Sequence, residues 1–261
     1  MVRRKNKGLW EKVNEQIIYK NIDKQLSGFR SIYGKPTPKT FSYNDAVTGD
    51  MHAGVRPKDT YITVKRIADF VLAVIAIIVL LPVLLLISVF IFAEDFGPPI
   101  YVSQRIGQGG RPFKMYKFRS MRRNADTLES FLTENEIERY KTEYKLDNDP
   151  RVTRVGRAIR KTSIDELPQL VNIIKGDLSI IGPRPVLQDE TELYGLYRQR
   201  LLSIKPGLTG YWQAYARSNA GYGDGKRQAM ELYYVENISL GLDIKVFFKT
   251  IATVVLRTGA K

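Results

Sequence analysis

FVLAVIAIIVLLPVLLLISVFIFA, residues 70–93, is a run of 24 residues without a charge. A helix needs about 20 apolar residues to reach across the hydrocarbon core of a bilayer, so this is a membrane segment. Its flanks bear on direction. Residues 1–66 carry 14 basic and 6 acidic side chains and residues 94–261 carry 27 and 20, so both sides are positive. Close to the run, Arg56, Lys58, Lys65 and Arg66 on one side face Arg105, Arg111 and Lys114 on the other, and the positive-inside bias marks neither flank for export. Pro82, in the middle, removes a backbone hydrogen bond and can kink the helix. A helix that dips into one leaflet and returns keeps both basic flanks in the cytosol, with Lys65, Arg66 and Asp69 at headgroup level. An ordinary crossing helix with a tolerated proline suits the same residues, and the residues alone leave the two open.

Outside this run the chain is polar and strongly basic. Over 261 residues, 41 Lys and Arg stand against 27 Asp and Glu, a net charge of +14. That balance favours phosphate-bearing ligands, nucleic acid or an anionic membrane surface without choosing among them. There is no cysteine and one histidine, His52, which excludes disulfides, thiolate nucleophiles and zinc sites built from these residues. His52 lies in a Gly- and Pro-punctuated stretch and reads as a solvated surface residue. Acid, base or nucleophile chemistry therefore falls to carboxylates, hydroxyls or lysines. Residues 1–60 read as a flexible basic arm with one short helix around Trp10, Val13, Ile17 and Ile18. Lys12, Glu15 and Lys20 interrupt the apolar region that a secretory signal needs, so the amino terminus is expected to be retained and cytosolic.

Beyond the membrane run, IYVSQRIG and RPFKMYKFRSM flank a glycine turn and predict a β-hairpin; residues 122–146 predict an exposed helix or helix pair. Arg151, Arg154, Arg157, Arg160 and Lys161 form a ladder at near-helical spacing, the usual mark of a solvated face. It leads into KTSIDELPQL, residues 161–170. There Ser163 and Glu166 have the S-x-x-E spacing of a capping box, and Leu167, Leu170, Val171 and Ile174 predict a helix from near Ile164 to near Lys175. Two readings of Asp165 and Glu166 follow. In one they only cap the helix and complement its dipole. In the other, the adjoining Arg160 and Lys161 and the helix start gather phosphate, a divalent cation bridges Asp165 to a pyrophosphate, and an ionised Asp165 is the nucleophile. Downstream, GPRP holds Arg184 between two prolines, which suits either a rigid turn or a guanidinium aimed at phosphate. KPGLTGYWQAYAR joins small residues to Tyr211, Trp212 and Tyr215 and ends in Arg217, fitting a nucleotide site or plain core packing. The final helix places Ile244, Phe247, Phe248, Ile251 and Val255 on one face with Lys245, Lys249 and Arg257 elsewhere, a basic amphipathic helix suited to a membrane surface.

In this order, KRIADF, the proline-broken apolar helix, RIGQGGRPFKMYKFRSM, RKTSIDELPQL, KGDLSIIGPRP, KPGLTGYWQAYAR and the DIK helix resemble the monotopic bacterial phosphoglycosyl transferases, or bacterial sugar transferases, from about Thr63 to the end. The resemblance implies transfer of a sugar 1-phosphate from a UDP-sugar to undecaprenyl phosphate, with UMP released. It implies Asp165 as nucleophile and magnesium ligand, and Glu166 as organiser of Mg2+ or of the acceptor phosphate. Arg160 and Arg184 would contact phosphate, with Lys117 and Arg119 as companions, and Thr209 of the GLTG turn and Arg217 would lie on the nucleotide side. It further implies a re-entrant membrane helix and a catalytic body on the cytoplasmic face of the membrane. Many members carry Ser-Pro at the break; here it is Leu81-Pro82, so the break rests on proline without a hydroxyl to satisfy the freed carbonyl. The expected fold is a helix-rich mixed α/β body with amphipathic interfacial helices. Its parts are an arm over 1–60, a membrane helix over 61–96 broken at Pro82, and a catalytic domain over 97–261. A homodimer, and glycan-assembly partners bound through residues 1–60, are compatible with the sequence. Nucleic acid is not an expected partner. The rivals are a membrane-tethered nucleic-acid binder, or a scaffold without catalysis.

Overall fold

The computed structural model describes residues 59–143, 146, 149–216 and 225–255. The amino-terminal arm up to residue 58, with Trp10 and His52, lies outside them, as do Arg217 and Arg257. The first element, α1 (Asp59–Asp95), is 37 residues of uninterrupted α-helix containing Pro82. At 1.5 Å per residue it is about 55 Å long. Only 6% of its most apolar 18-residue window is buried, so Ile75, Ile78, Val79, Leu85, Leu86, Val89 and Phe90 form an apolar surface that needs cover from outside the protein.

The opposite face of α1 lies along the rest of the molecule. β1 (Ile100–Ile106) and β2 (Pro112–Phe118) form the expected hairpin, antiparallel from Ile100 opposite Phe118 to Ile106 opposite Pro112. Its turn needs positive φ at Gly109 (69°) and Gly110 (78°), a conformation glycine adopts without steric cost. One helix, α2 (Glu134–Glu143), follows. The basic ladder becomes α3 (Arg154–Lys161), but Arg151 precedes the helix and is 2% exposed, paired with Asp149 at 2.7 Å. The solvated-face reading therefore fails for this first arginine and holds for Arg154, Arg157 and Lys161, all exposed.

The helix expected over 164–175 is present in two pieces: a 3₁₀ segment, Ile164–Gln169, and then α4 (Leu170–Lys175), closed by Gly176 at φ 88°. Pro168 explains the division, since it lacks the N–H that an α-helix would donate to Ile164. After β3 (Ser179–Ile181) come α5 (Gln188–Glu192) and α6 (Arg198–Leu201); β4 (Gly207–Thr209) then pairs parallel with β3. The chain continues as α7 (Tyr211–Ala216), α8 (Lys226–Glu236) and α9 (Leu240–Val255). The described residues thus form two two-stranded sheets set among helices, the helix-rich mixed α/β fold expected.

α1 enters two separate cores. Ala73, fully buried, packs with Leu170, Ile173 and Leu178, and Ile91 packs with Phe118 and Ile159. Polar bonds fasten both ends. At the head, Asp243 of α9 accepts from Tyr61 Oη (2.6 Å), Lys65 Nζ (2.7 Å) and Tyr234 Oη (2.6 Å), while Asp69 accepts from Ser179 Oγ (2.7 Å) and the Ile180 amide (3.2 Å). At the tail, Asp95 pairs with Arg119. α9 buries Asp243 and Val246 and exposes Leu240, Ile244, Phe247, Phe248 and Ile251, the amphipathic division read from the sequence.

Candidate active site

Asp165 and Glu166 sit in the 3₁₀ segment between α3 and α4. Ser163 enters the turn with φ 58° and ψ 15°, a left-handed conformation that costs a non-glycine residue about 1 kcal/mol or more. The turn is held by the Ser163 amide donating to the Arg160 carbonyl (3.1 Å) and the Glu166 amide donating to the Ser163 carbonyl (3.2 Å). The Ser163 side chain makes no capping bond, so the capping box is not formed. Glu166 pairs instead with Lys117 of β2, 3.0 Å away, with both side chains about one-fifth exposed. The spacing that suggested a local cap belongs to a long-range ion pair.

Arg160 comes from the last turn of α3 and donates from Nε to Ser120 Oγ at 2.7 Å. As a residue it is exposed, yet its guanidinium is crowded. This desolvation lowers its pKa, while the nearby Asp165 charge acts in the opposite direction. Asp165, Glu166, Arg160 and Lys117 are therefore brought together: two carboxylates between two cations, one of them bonded to Glu166 and the other within the field of Asp165.

The frame that holds this turn lies in residues to which the sequence reading assigned no role. Asn172 of α4 is fully buried. Its Oδ1 accepts from the Tyr116 amide (3.0 Å), and its Nδ2 donates to the Lys114 carbonyl (2.6 Å) and to Asp177 Oδ2 (3.1 Å). It thereby pins β2, which carries Lys117, to the helix that follows Glu166. Gly156 lets α3 approach the strand end, since a Cβ there would stand 2.0 Å from the Ser120 carbonyl oxygen. The one signal available for Asn172 was a polar side chain set between the apolar Val171 and Ile173, which has to find partners when buried.

Other expected site residues have different neighbours. Arg119 is 8% exposed and donates to Asp95 and to the Ile91 carbonyl, so its head fastens the end of α1. Thr209 is hydrogen-bonded to Thr250 Oγ1 of α9 at 3.0 Å. Thr250 gives its own proton to the Val246 carbonyl, so Thr209 is the donor there. The glycines of IIGPRP and GLTG bring backbone against backbone: a Cβ on Gly207 would lie 2.1 Å from the Gly182 nitrogen. That closeness serves the β3–β4 pairing. Trp212 is buried, with the Arg227 guanidinium 4.4 Å and that of Arg184 5.9 Å from its ring centroid. Tyr215 is exposed and stacks on Tyr211.

The sequence from α1 to α9 has relatives among known proteins. This chain is 45% identical over 199 residues to an exopolysaccharide production protein of Sinorhizobium fredii, covering 75% of this chain and 87% of that one. It is 43% identical over 199 residues to an undecaprenyl-phosphate galactose phosphotransferase of Salmonella typhimurium, covering 75% of this chain and 41% of the relative. To a UDP-N-acetylgalactosamine-undecaprenyl-phosphate N-acetylgalactosaminephosphotransferase of Aeromonas hydrophila it is 39% identical over 213 residues, 78% of this chain and 47% of that protein. It thus spans less than half the length of the latter two. The family model for bacterial sugar transferases matches residues 60–257, a span that takes in α1, the acidic turn and α9, and the chain belongs to that family.

Proposed function

We propose that this protein transfers a sugar 1-phosphate from a UDP-sugar to undecaprenyl phosphate at the cytoplasmic face of the bacterial membrane, the first membrane step in building an exopolysaccharide or related glycan. The observation that carries the reading is the Asp165–Glu166 turn, held between Arg160 and Lys117 on a body that α1 fastens to the membrane. Asp165 lies within the field of Arg160, and its carboxylate serves as the nucleophile. The Asp165 carboxylate attacks the sugar-side phosphorus of the donor. A bond forms from its oxygen to that phosphorus, the bond to the bridging oxygen breaks, and UMP departs with that oxygen. A phosphate oxygen of undecaprenyl phosphate then attacks the same phosphorus and releases the Asp165 carboxylate. Lys117 fixes Glu166 beside the reacting groups, and Arg184 meets the charge of the diphosphate.

Among the described residues no three carboxylate or histidine side chains converge as a metal site. Magnesium commonly uses one or two carboxylates together with substrate phosphates, and the adjacent carboxylates Asp165 and Glu166 fit that chemistry. Asp165 would hold the ion with the diphosphate oxygens, and the ion would neutralise their charge.

The re-entrant course of α1 belongs to the same proposal and requires the turn in the membrane to be a bend at Pro82, because the helix is continuous through that residue. Its support is that one polar body grips the helix at Tyr61, Lys65, Arg66 and Asp69 and again at Glu94 and Asp95, so both ends face the same compartment. The exposed apolar face of α9 lies on the membrane beside it.

The test is release of UMP by detergent-purified protein given Mg2+, undecaprenyl phosphate and a panel of UDP-sugars. Release is expected to require the lipid and to vanish in Asp165→Asn, with Glu166→Gln strongly impaired. The donor that works names the sugar, on which the named relatives differ. No release from any donor by folded protein would refute the reading.

A further inference from the structure

Glu231 of α8 is fully buried, and the chemistry above makes no use of it. Its Oε2 accepts the backbone N–H of Arg184 at 3.1 Å, and its Oε1 is buried without a hydrogen-bond partner. Arg184 stands between Pro183 and Pro185, neither of which has an N–H. Gly182 gives its own N–H to the Thr209 carbonyl. The Arg184 amide is therefore the one backbone donor remaining in the GPRP turn, and Glu231 takes it. The side chain of Arg184 is partly exposed, and its Nε is buried with no partner.

The charges around Glu231 are Arg227 on its own helix, Arg184, and Glu190 of α5; Glu190 is itself paired with Arg105 of β1 at 3.4 Å. Two arginines thus face a carboxylate that has left one oxygen unsatisfied. Removing a buried group from water favours its neutral form.

We propose that Glu231 is a positioning residue of the donor site, holding the Arg184 backbone and balancing its charge until the phosphate of a nucleotide replaces that balance. The inference rests on the donor-site reading given above. Burial pushes Glu231 up to about 7, with the charges of Arg227 and Arg184 opposing and that of Glu190 adding. An arriving anion draws on the same arginine charge and disfavours the ionised carboxylate. Binding then takes up a proton at Glu231, so affinity is greatest with Glu231 protonated and falls as pH rises through 7.

Trp212 lies against both arginines, and the chain has only one other tryptophan, Trp10. In a Trp10→Phe background its fluorescence can follow UMP titrations from pH 6 to pH 8, with Glu231→Gln and Glu231→Asp alongside. Gln keeps an oxygen for the Arg184 amide but cannot titrate. UMP is expected to bind the parent about threefold to fivefold more weakly at pH 8 than at pH 7, the limit for one proton. Glu231→Gln is expected to abolish that dependence, leaving only the titration of the UMP phosphate, and Glu231→Asp to restore part of it. UMP binding whose pH profile is unchanged in Glu231→Gln overturns the inference and leaves the donor-site reading in place. Failure of the parent to bind UMP overturns both.

Discussion

Replacing Asn172 with aspartate exchanges one atom in the staple between β2 and α4, and its effect should depend on pH. The wild-type amide accepts from the Tyr116 amide and donates to the Lys114 carbonyl and Asp177. An ionised aspartate keeps the first bond but turns the second oxygen onto a carbonyl and a carboxylate, in a site with no exposure to solvent. A buried charge left without a partner costs about 3–5 kcal/mol. At about 2–4 °C per kcal/mol for a chain of this size, the melting temperature falls on the order of 10 °C. A protonated aspartic acid can still donate to Lys114, so folding raises the pKa of the new group above its ordinary value near 4. A group raised in this way contributes its stability at low pH and loses it as pH rises through the folded value. Melts of the Asn172→Asp and wild-type proteins in the same detergent should therefore lie close together at pH 5 and far apart at pH 8. Asn172→Ala strands the Tyr116 N–H and the Lys114 carbonyl at about 1–3 kcal/mol each, and its deficit should be the same at both pH values. An Asn172→Asp deficit that does not grow between pH 5 and pH 8 would refute the staple. Because Lys117 is borne on β2, UMP release should fall in step with the deficit.

Two further outcomes follow from close contacts elsewhere. Gly156→Ala puts a methyl group 2.0 Å from the Ser120 carbonyl; α3 has to shift, carrying Arg160 from Ser120. The protein should lose about 1–3 kcal/mol in a thermal melt and lose more UMP release than that melt accounts for. Asp243→Asn leaves Lys65 without its ion pair and sets an amide N–H2 against hydroxyl donors. It should cost about 2–4 kcal/mol and expose the head of α1 to limited proteolysis while the hairpin stays protected.

What could be read from the sequence was whatever depends on neighbours along the chain. The apolar run, the glycine-turn hairpin and the amphipathic α9 are set by period and by turn chemistry, and each is present. The acidic pair was legible as a candidate because two carboxylates follow a basic ladder. Its partners were not. Lys117 is 49 residues from Glu166, and Ser120 is 40 from Arg160; no local pattern brings them together. The capping-box reading failed for the same reason, since Ser163 adopts a left-handed conformation and Glu166 finds a lysine on another element. The start of α1 was placed near residue 61 and lies at Asp59. The charge-free run, by contrast, opens only at Phe70, because Lys65, Arg66 and Asp69 are spent on protein partners while a membrane criterion sees only charges.

Those polar residues at the head of α1, with the acidic ones at its tail, explain how a long apolar helix can hold the acidic turn in place. The first amides of α3 are taken by Glu94 Oε1, which accepts from Arg154 (2.7 Å) and Val155 (3.3 Å), and by Thr153 Oγ1, which accepts from Gly156 (2.9 Å). The carbonyls of Ile173 and Ile174 near the end of α4 are taken by Arg66, at 2.5 and 2.8 Å. These belong to the end groups that every helix must satisfy, the Ile173 carbonyl accepting from the Gly176 amide as well. One end of α1 thus supplies the amino-terminal cap of α3 and the other the carboxy-terminal cap of α4, and the Asp165–Glu166 turn is the link between those two helices. A carboxylate at a helix start and a guanidinium at a helix end also suit the macrodipole in each case. Short helices of eight and six residues are marginal by themselves, so the order of the turn depends on α1 lying in its place. Membrane seating and the geometry of the acidic pair are in this way one structural condition.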